Sequence, residues 1–337
     1  MVQVEEILVK NIIVHILDTS MSIPVMSMDE MPTAIDMNEF FASHISKTMN
    51  DDTLKSCVFD EDYNMFLSYL KDYIDEKTDF VNFTKQVAGQ LFAIMSANYT
   101  IPSADLAVIK YRHHQKDYLA LLKLNYQNTY IHFTDFESDV NVNTIIQHRT
   151  TLPSMSQRVS EGAIIDLEDL TVDLLDKTYD IDGEKKAYLS TLFFKCHTKL
   201  SSKEQFNAVK TATNRVSKKF FDTDYDKKAE ITETLYKNLD EKGEINLQDF
   251  ANQAFSSQEE AKEIFFSTLE KKGVEEPKII MTEKTIQRSF DKQRIKTDEG
   301  IEIKIPMDFY NNPHKMEFVT EANGKISIVL KDINKIL

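Results

Sequence analysis

The chain has 337 residues, a formal net charge of −15, 42% hydrophobic residues and 2 cysteines. This length allows a sizeable core and predicts two or three folding units, while two cysteines are too few for a disulfide framework and fit a reducing cytoplasm. No apolar run reaches the roughly eighteen residues of a membrane span, and the first residues lack the pattern of a signal peptide. We therefore expect no membrane segment.

The wide spacing of the glycines argues against nucleotide-dependent chemistry. The 7 glycines stand at positions 89, 162, 183, 243, 273, 300 and 324. Loops that cradle phosphate need several glycines within a few residues, because the backbone must approach the anion closely. A Walker A loop and a Rossmann fingerprint are both absent from the sequence, and we expect no cofactor and no small-molecule substrate.

The first 180 residues predict an acidic α/β unit with an antiparallel sheet. Strands are predicted at residues 7–17 and 23–28, and helical spacing of apolar residues follows at 36–48, at 62–74 and after the capping pair Thr78-Asp79. From residue 105 the period changes to two, which predicts an antiparallel meander. Its strands would be 106–111, 118–124 and 130–133, with further strands at 145–150 and 163–167.

Residues 181–275 predict a helical unit. An apolar stripe predicts a first helix, with Leu189, Leu192, Phe193, Cys196 and Leu200 on one side. Ser201 with Glu204 forms a capping box that starts the next helix, which runs to about residue 221. Three more helices are predicted at 227–242, 247–255 and 259–271.

The remaining residues, 276–337, predict a small β section. Ile301, Ile303 and Ile305 alternate with charged residues, and Asn323-Gly324 is a strong hairpin signal. The fold class is therefore α+β, with an N-terminal α/β unit, a central helical unit and a small C-terminal β hairpin unit. The predicted domains are 1–180, 181–275 and 276–337.

Positive charge is concentrated in one block, residues 185–228, which carries 11 lysines and arginines against 4 acidic residues. Within it, no acidic residue occurs from position 205 to position 221. On a helix over 203–221, Phe206, Val209, Val216 and Phe220 gather on one face and cations with Asn and Thr on the other. The candidate nucleic-acid-binding residues, including two from the preceding predicted helix, are Lys195, Lys199, Lys203, Lys210, Asn214, Arg215, Lys218 and Lys219.

Three interpretations of this basic face stay open on the residues alone. It could be an ordinary solvated helix face. It could dock onto the acidic N-terminal half, within the chain or across a homodimer. It could also bind nucleic acid, because cations neutralise phosphates while Asn and Thr hydrogen-bond phosphate oxygens or base edges.

Several stretches, in order along nearly the whole chain, resemble the YejK-type (NdpA-type) family of bacterial nucleoid-associated proteins. They are DFVNF at 79–83, AGQL at 88–91, YLALLKLN at 118–125, GAIIDL at 162–167, YLSTLF at 188–193, GIEIKI at 300–305 and the Asn323-Gly324 pair. The resemblance implies a cytoplasmic protein of the nucleoid that binds double-stranded DNA without known catalysis. It supplies no DNA-contact residues, so the candidates above rest on charge.

We therefore expect a non-enzymatic protein that binds double-stranded DNA through phosphates, largely independently of sequence. One alternative is an interaction or adaptor module whose basic helix meets an acidic protein. Another is a metal-dependent nuclease, in which Glu302 and Lys304 act with Asp291 or Asp298.

Two other stretches of the sequence resemble metal-binding patterns. Asp222, Asp224, Asp226 and Glu233 match four positions of a calcium loop, but Lys227 stands where the loop needs glycine, and helix capping is the simpler role. His113-His114 falls in a predicted hairpin turn, where solvation is the simpler expectation, and no zinc signature is present. We therefore expect no bound metal.

Overall fold

The computed structural model describes residues 2–335 except 33, 61–63, 136–141, 257, 311, 313 and 322–324. The chain divides into two compact units, Met1–Lys199 and Leu200–Leu337. Both mix helices with antiparallel strands, which confirms the α+β class. Within the described part of the chain, no helix is long and apolar enough to cross a membrane.

The first unit contains three helices and eleven strands among the described residues. A 3-10 turn, Val4–Glu6, precedes them and a π-helical turn, Leu189–Phe193, lies near the end. In chain order the elements are β1 (Leu8–Leu17), α1 (Ile35–Met49), β2 (Lys55–Phe59), α2 (Met65–Ile74), α3 (Phe80–Ala97), β3 (Ala104–His113), β4 (Lys116–Asn125), β5 (Gln127–Asp135), β6 (Val142–Thr151), β7 (Gly162–Asp166), β8 (Val172–Leu175), β9 (Thr178–Ile181), β10 (Glu184–Ala187) and β11 (Cys196–Thr198).

A seven-stranded sheet organises this unit, in the order β1-β3-β4-β7-β8-β2-β11, and every pairing is antiparallel. Both faces of the sheet are covered. Leu106 and Val108 of β3 pack in one core cluster with residues of α2 and α3, while Ala107 and Ile109 pack in another with α1. Because side chains alternate across a strand, a strand covered on both faces reads as a continuous apolar run.

Several predicted elements of the first unit need correction. Residues 23–28 form no strand, since only Val25 bridges to β1. The predicted meander is right for β3 and β4, but β5 pairs only with β6 in a separate two-stranded sheet. The predicted domain boundary between residues 180 and 181 falls inside the β9–β10 hairpin; the three-domain division stays a prediction.

The helix predicted from Leu189 to Leu200 is wrong. A five-residue π-helical turn, Leu189–Phe193, is followed by β11, which pairs with β2. Leu189, Phe193 and Cys196 are buried, as the apolar stripe suggested. The apolar pattern therefore predicts correctly which side chains are buried, while pairing with a distant strand decides the backbone conformation of residues 196–198.

The second unit has a helical core followed by β hairpins. Its elements are α4 (Ser202–Phe220), α5 (Tyr225–Lys242), β12 (Glu244–Asn246), α6 (Leu247–Ala254), α7 (Glu259–Lys271), β13 (Lys278–Ile280), α8 (Glu283–Phe290), β14 (Lys292–Lys296), β15 (Glu302–Pro306), α9 (Met307–Tyr310), β16 (Met316–Thr320) and β17 (Ile326–Leu330). The predicted helices of this region are confirmed. Strands β16 and β17 pair as a hairpin, while its predicted Asn323-Gly324 turn lies outside the described residues.

A buried ion pair lies within the first unit. Lys123 Nζ is 3.4 Å from Glu161 Oε2, and the two side chains are almost completely buried. Glu161 also accepts hydrogen bonds from the hydroxyls of Tyr179 and Tyr188, both at 2.7 Å, and from Asn125 Nδ2 at 2.5 Å. The carboxylate is thus surrounded by donors, as a buried charge requires.

His15 on β1 is fully buried and held as a neutral ring. Its Nδ1 accepts a hydrogen bond from the backbone N–H of Ser27 at 3.1 Å. Its Nε2 lies 3.0 Å from Thr84 Oγ1, whose own hydroxyl donates to the Val81 carbonyl, so Nε2 carries the proton. Burial, with a smaller contribution from Lys85, lowers the pKa of His15 to about 4.

Acid should therefore destabilise the first unit through His15. Between pH 6.5 and 4 the unfolded histidine takes up a proton that the folded one does not, so the free energy of unfolding falls as the pH falls. The contribution is on the order of 2–3 kcal/mol across this range. Urea unfolding at a series of pH values should show this slope, and His15→Gln should reduce it; an equal slope in the variant would contradict the assignment.

Candidate nucleic-acid interface

Helix α4 begins at the predicted capping box. The backbone N–H of Glu204 donates to Ser201 Oγ at 3.3 Å, and Glu204 Oε2 accepts from the Ser201 N–H at 3.0 Å. These reciprocal bonds satisfy backbone donors that a helix start otherwise leaves open. Lys218 and Lys219 in the last turn lie at the negative end of the helix dipole, which favours cations there.

The apolar face of α4 is buried as predicted. Phe206, Val209 and Val216 are at most 1% exposed, and Phe220 is partly buried against the same core. This face packs within the helical core that includes α7. Packing therefore fixes which side of α4 faces solvent.

Lys210 lies beside the buried face rather than on the polar one. Its Nζ is 4.8 Å from the ring centre of Phe206 and 6.0 Å from that of Phe290 on α8. Burial lowers the pKa of Lys210. A cation held over aromatic rings is partly withdrawn from solvent, so Lys210 is less suited to a phosphate contact than its helical angle suggested.

Arg215 and Lys219 lie on the flank of α4 that faces α7. Lys219 Nζ pairs with Glu260 Oε1 at 2.7 Å, and Arg215 Nη1 is 3.5 Å from Thr268 Oγ1. Both side chains remain exposed. Because an exposed ion pair contributes little energy, Lys219 could exchange Glu260 for another anion at small cost.

The remaining exposed residues form a single row along the helix, called the α4 stripe below. Its five members are separated by three or four positions and span about 80° of the helix circumference, over about 22 Å of its length. The side chains of Lys203, Asn214 and Lys218 make no hydrogen bond or ion pair with any other described residue. The stripe consists of Lys203, Asn207, Thr211, Asn214 and Lys218, all exposed.

Lys195 and Lys199 do not lie on a helix beside α4, contrary to prediction. They flank strand β11, and both belong to the first unit. The carbonyl of Lys195 accepts a hydrogen bond from the Asp60 N–H, and the N–H of Lys199 donates to the Ser56 carbonyl. The error follows from the wrong helix over 189–200.

The second unit contains both acidic patterns that resemble metal sites, the calcium-like one and the nuclease-like one. Asp224 Oδ1 accepts from the Lys227 N–H at 2.9 Å and caps α5, which is the simpler role expected for the calcium-like sequence. Glu302 and Lys304 are exposed on one face of β15. Since Lys296 pairs with Glu302, Asp291 lies about 16 Å away along the hairpin, too far to share an ion with Glu302. The form of the pattern that uses Asp298 stays a prediction.

Comparison with known proteins assigns the family. No curated protein matches the chain. The sequence model of a family described as the nucleoid-associated protein YejK matches residues 13–337. Since this match spans nearly the whole chain, the chain belongs to the family of the nucleoid-associated protein YejK.

Proposed function

We propose that this protein binds double-stranded DNA of the bacterial nucleoid, in the cytoplasm, without catalysis and largely independently of base sequence. Family membership supports the partner. The single observation that supports the choice of DNA-binding surface is the α4 stripe, an exposed row without acidic residues in a chain of net charge −15. An acidic protein needs such a local surface to approach phosphates, because its overall field repels them.

The dimensions of the α4 stripe suit a groove of DNA. The major groove is about 12 Å wide and admits an α-helix. Lys203 and Lys218 are about 22 Å apart at the two ends of the stripe, so they can reach phosphates on opposite sides of a groove. Asn207, Thr211 and Asn214 lie between them and can hydrogen-bond phosphates or base edges.

The contacts of the other candidates rank them below the stripe. Arg215 is exposed and adds a third cation next to it, while Lys219 must first leave Glu260. Lys210 is held over Phe206 and contributes mainly to the field around the helix. Lys195 and Lys199 would act as a separate basic contact of the first unit.

A salt titration of DNA affinity tests the proposal. Fluorescence anisotropy with a labelled duplex should give a linear fall of log K against log salt, with a slope of about −3 per chain if Lys203, Arg215 and Lys218 each neutralise one phosphate. Analytical ultracentrifugation in the same buffer gives the oligomeric state, and a homodimer would double the slope. Binding that is absent at low salt, or independent of salt, would refute phosphate-mediated DNA binding.

A matched pair of variants tests the surface. Lys203→Glu with Lys218→Glu should reduce the slope by about 2 and weaken binding by roughly tenfold or more. Lys237→Glu with Lys278→Glu changes the net charge equally, at exposed lysines on α5 and β13. If the two double variants bind DNA alike while both stay folded by circular dichroism, the α4 stripe is not the DNA surface.

A further inference from the structure

Three metal-binding side chains meet at one end of the sheet in the first unit. Glu6 ends the 3-10 turn before β1, His113 ends β3 and His114 begins the turn to β4. Strands β1 and β3 pair with Leu8 opposite Arg112, which brings residues 6 and 113 together. One ligand atom from each of the three side chains lies within 4.8 Å of the others, a grouping that recurs nowhere else in the described part of the chain.

His113 carries an unsatisfied nitrogen that points into this group. The residue is only 7% exposed, and its Nε2 is buried without a hydrogen-bond partner among the described atoms. Glu6 Oε2 is 3.7 Å away, beyond hydrogen-bond distance. Because leaving a buried polar atom unpaired costs about 1–3 kcal/mol in general, the arrangement suggests that a third species joins the nitrogen and the carboxylate.

The donor set selects a class of ion. Two imidazoles and one carboxylate are typical ligands of Zn²⁺ and related transition-metal ions, whereas Ca²⁺ and Mg²⁺ prefer oxygen ligands alone. Tetrahedral zinc with bonds of about 2.0–2.1 Å sets its ligand atoms about 3.4 Å apart. The exposed side chains of Glu6 and His114 can close the remaining distance, since only His113 is held by burial.

We propose that Glu6, His113 and His114 form a binding site for one divalent transition-metal ion of the Zn²⁺ class, with water completing the coordination. The ion would fasten the segment that precedes β1 to the β3–β4 turn.

Zinc titration of the full-length, chelator-stripped protein tests the site. Competition with a chromophoric chelator should show one Zn²⁺ per chain, and Co²⁺ should give the absorption of a tetrahedral site. At a hundredfold excess over the dissociation constant, zinc should raise the Tm of the first unit by about 5–10 °C. Absence of stoichiometric binding would overturn the proposal and leave an ordinary histidine–carboxylate contact.

Variants locate the ion. His114→Ala removes an exposed ligand, so its fold should persist, and it should lose at least tenfold in zinc affinity together with the Tm shift; His113→Ala and Glu6→Gln should do the same. His197→Ala is the matched control, because exposed His197 pairs with Asp60 at 2.8 Å without belonging to the group of three. If His197→Ala weakens zinc binding as much as His114→Ala, the ion binds elsewhere and the proposal fails.

Discussion

Replacing Glu161 by glutamine should lower the free energy of unfolding of the first unit by about 3–5 kcal/mol. Glu161 is 0% exposed and holds Lys123, which is itself buried at 2%. Glutamine has nearly the same shape but no charge, so Lys123 loses its counter-ion in a place that water does not reach. The hydroxyls of Tyr179 and Tyr188 donate to different carboxylate oxygens, so the amide NH2 that replaces one oxygen would also meet one of these donors without an acceptor.

The pH dependence of this loss identifies its cause. Burial outweighs the attraction of Glu161 and lowers the pKa of Lys123 to about 8. Without Glu161 the pKa of Lys123 falls further. Folded protein with Glu161 therefore keeps Lys123 protonated up to a higher pH than folded Glu161→Gln does. The stability difference between the two should therefore shrink as the pH rises towards 8 and stay constant above it, where Lys123 is neutral in both native proteins.

Urea unfolding monitored by circular dichroism measures both effects. Glu168→Gln is the matched control, since Glu168 pairs with Lys116 at 3.4 Å on the surface and its loss should change stability by no more than about 0.5 kcal/mol. Adding Lys123→Met to Glu161→Gln should recover part of the loss, because the unpaired charge is then gone. Equal effects of Glu161→Gln and Glu168→Gln would show that the buried pair has no special energetic role.

Phe265→Ala should destabilise the second unit by about 3–5 kcal/mol. Phe265 on α7 is 0% exposed, and its ring lies 5.6 Å from the rings of both Phe250 and Phe255. Alanine would remove this ring and leave a cavity between α6 and α7. Since α7 also packs against α4, the support of the α4 stripe would weaken with it.

Hydrogen exchange measured by mass spectrometry localises the damage. Amides of α4, α6 and α7 should exchange faster in Phe265→Ala, while those of β3 and β4 in the first unit should keep their protection. Phe133→Ala serves as the control, because Phe133 on β5 is 49% exposed and its truncation should change stability by no more than about 0.5 kcal/mol. Unchanged exchange in α4 would show that the helix does not depend on this core.

Much of the second unit could be predicted because its signals are local. The Ser201–Glu204 capping box, Asp224 as the cap of α5 and Gly243 as its end all act within one helical turn. The alternation of buried and exposed positions along α4 depends only on the helical period. The position of α4, its apolar face and its exposed polar row therefore follow from the sequence.

Contacts that join distant parts of the chain were beyond that reasoning. The apolar spacing from Leu189 to Leu200 fits a helix. Cys196–Thr198 nevertheless form a strand, because they pair with β2, about 140 positions earlier in the chain. The angular position of Lys210 suggests exposure, but Phe290 of α8 closes over its amine together with Phe206. In both places the competing partner is supplied by tertiary packing.

The sequence alone determined three features of the basic region. These are its positive charge, the absence of acidic residues between positions 205 and 221, and the helix α4 that carries this segment. Which of these cations are ion-paired or held over aromatic rings was decided only by tertiary structure, because packing between helices brings Glu260 to Lys219 and Phe290 to Lys210. Tertiary structure also decides the environment of His113, which the sequence predicts to be solvated but which is buried beside Glu6. Strand pairing alone brings these two side chains together, since 107 positions of chain separate them.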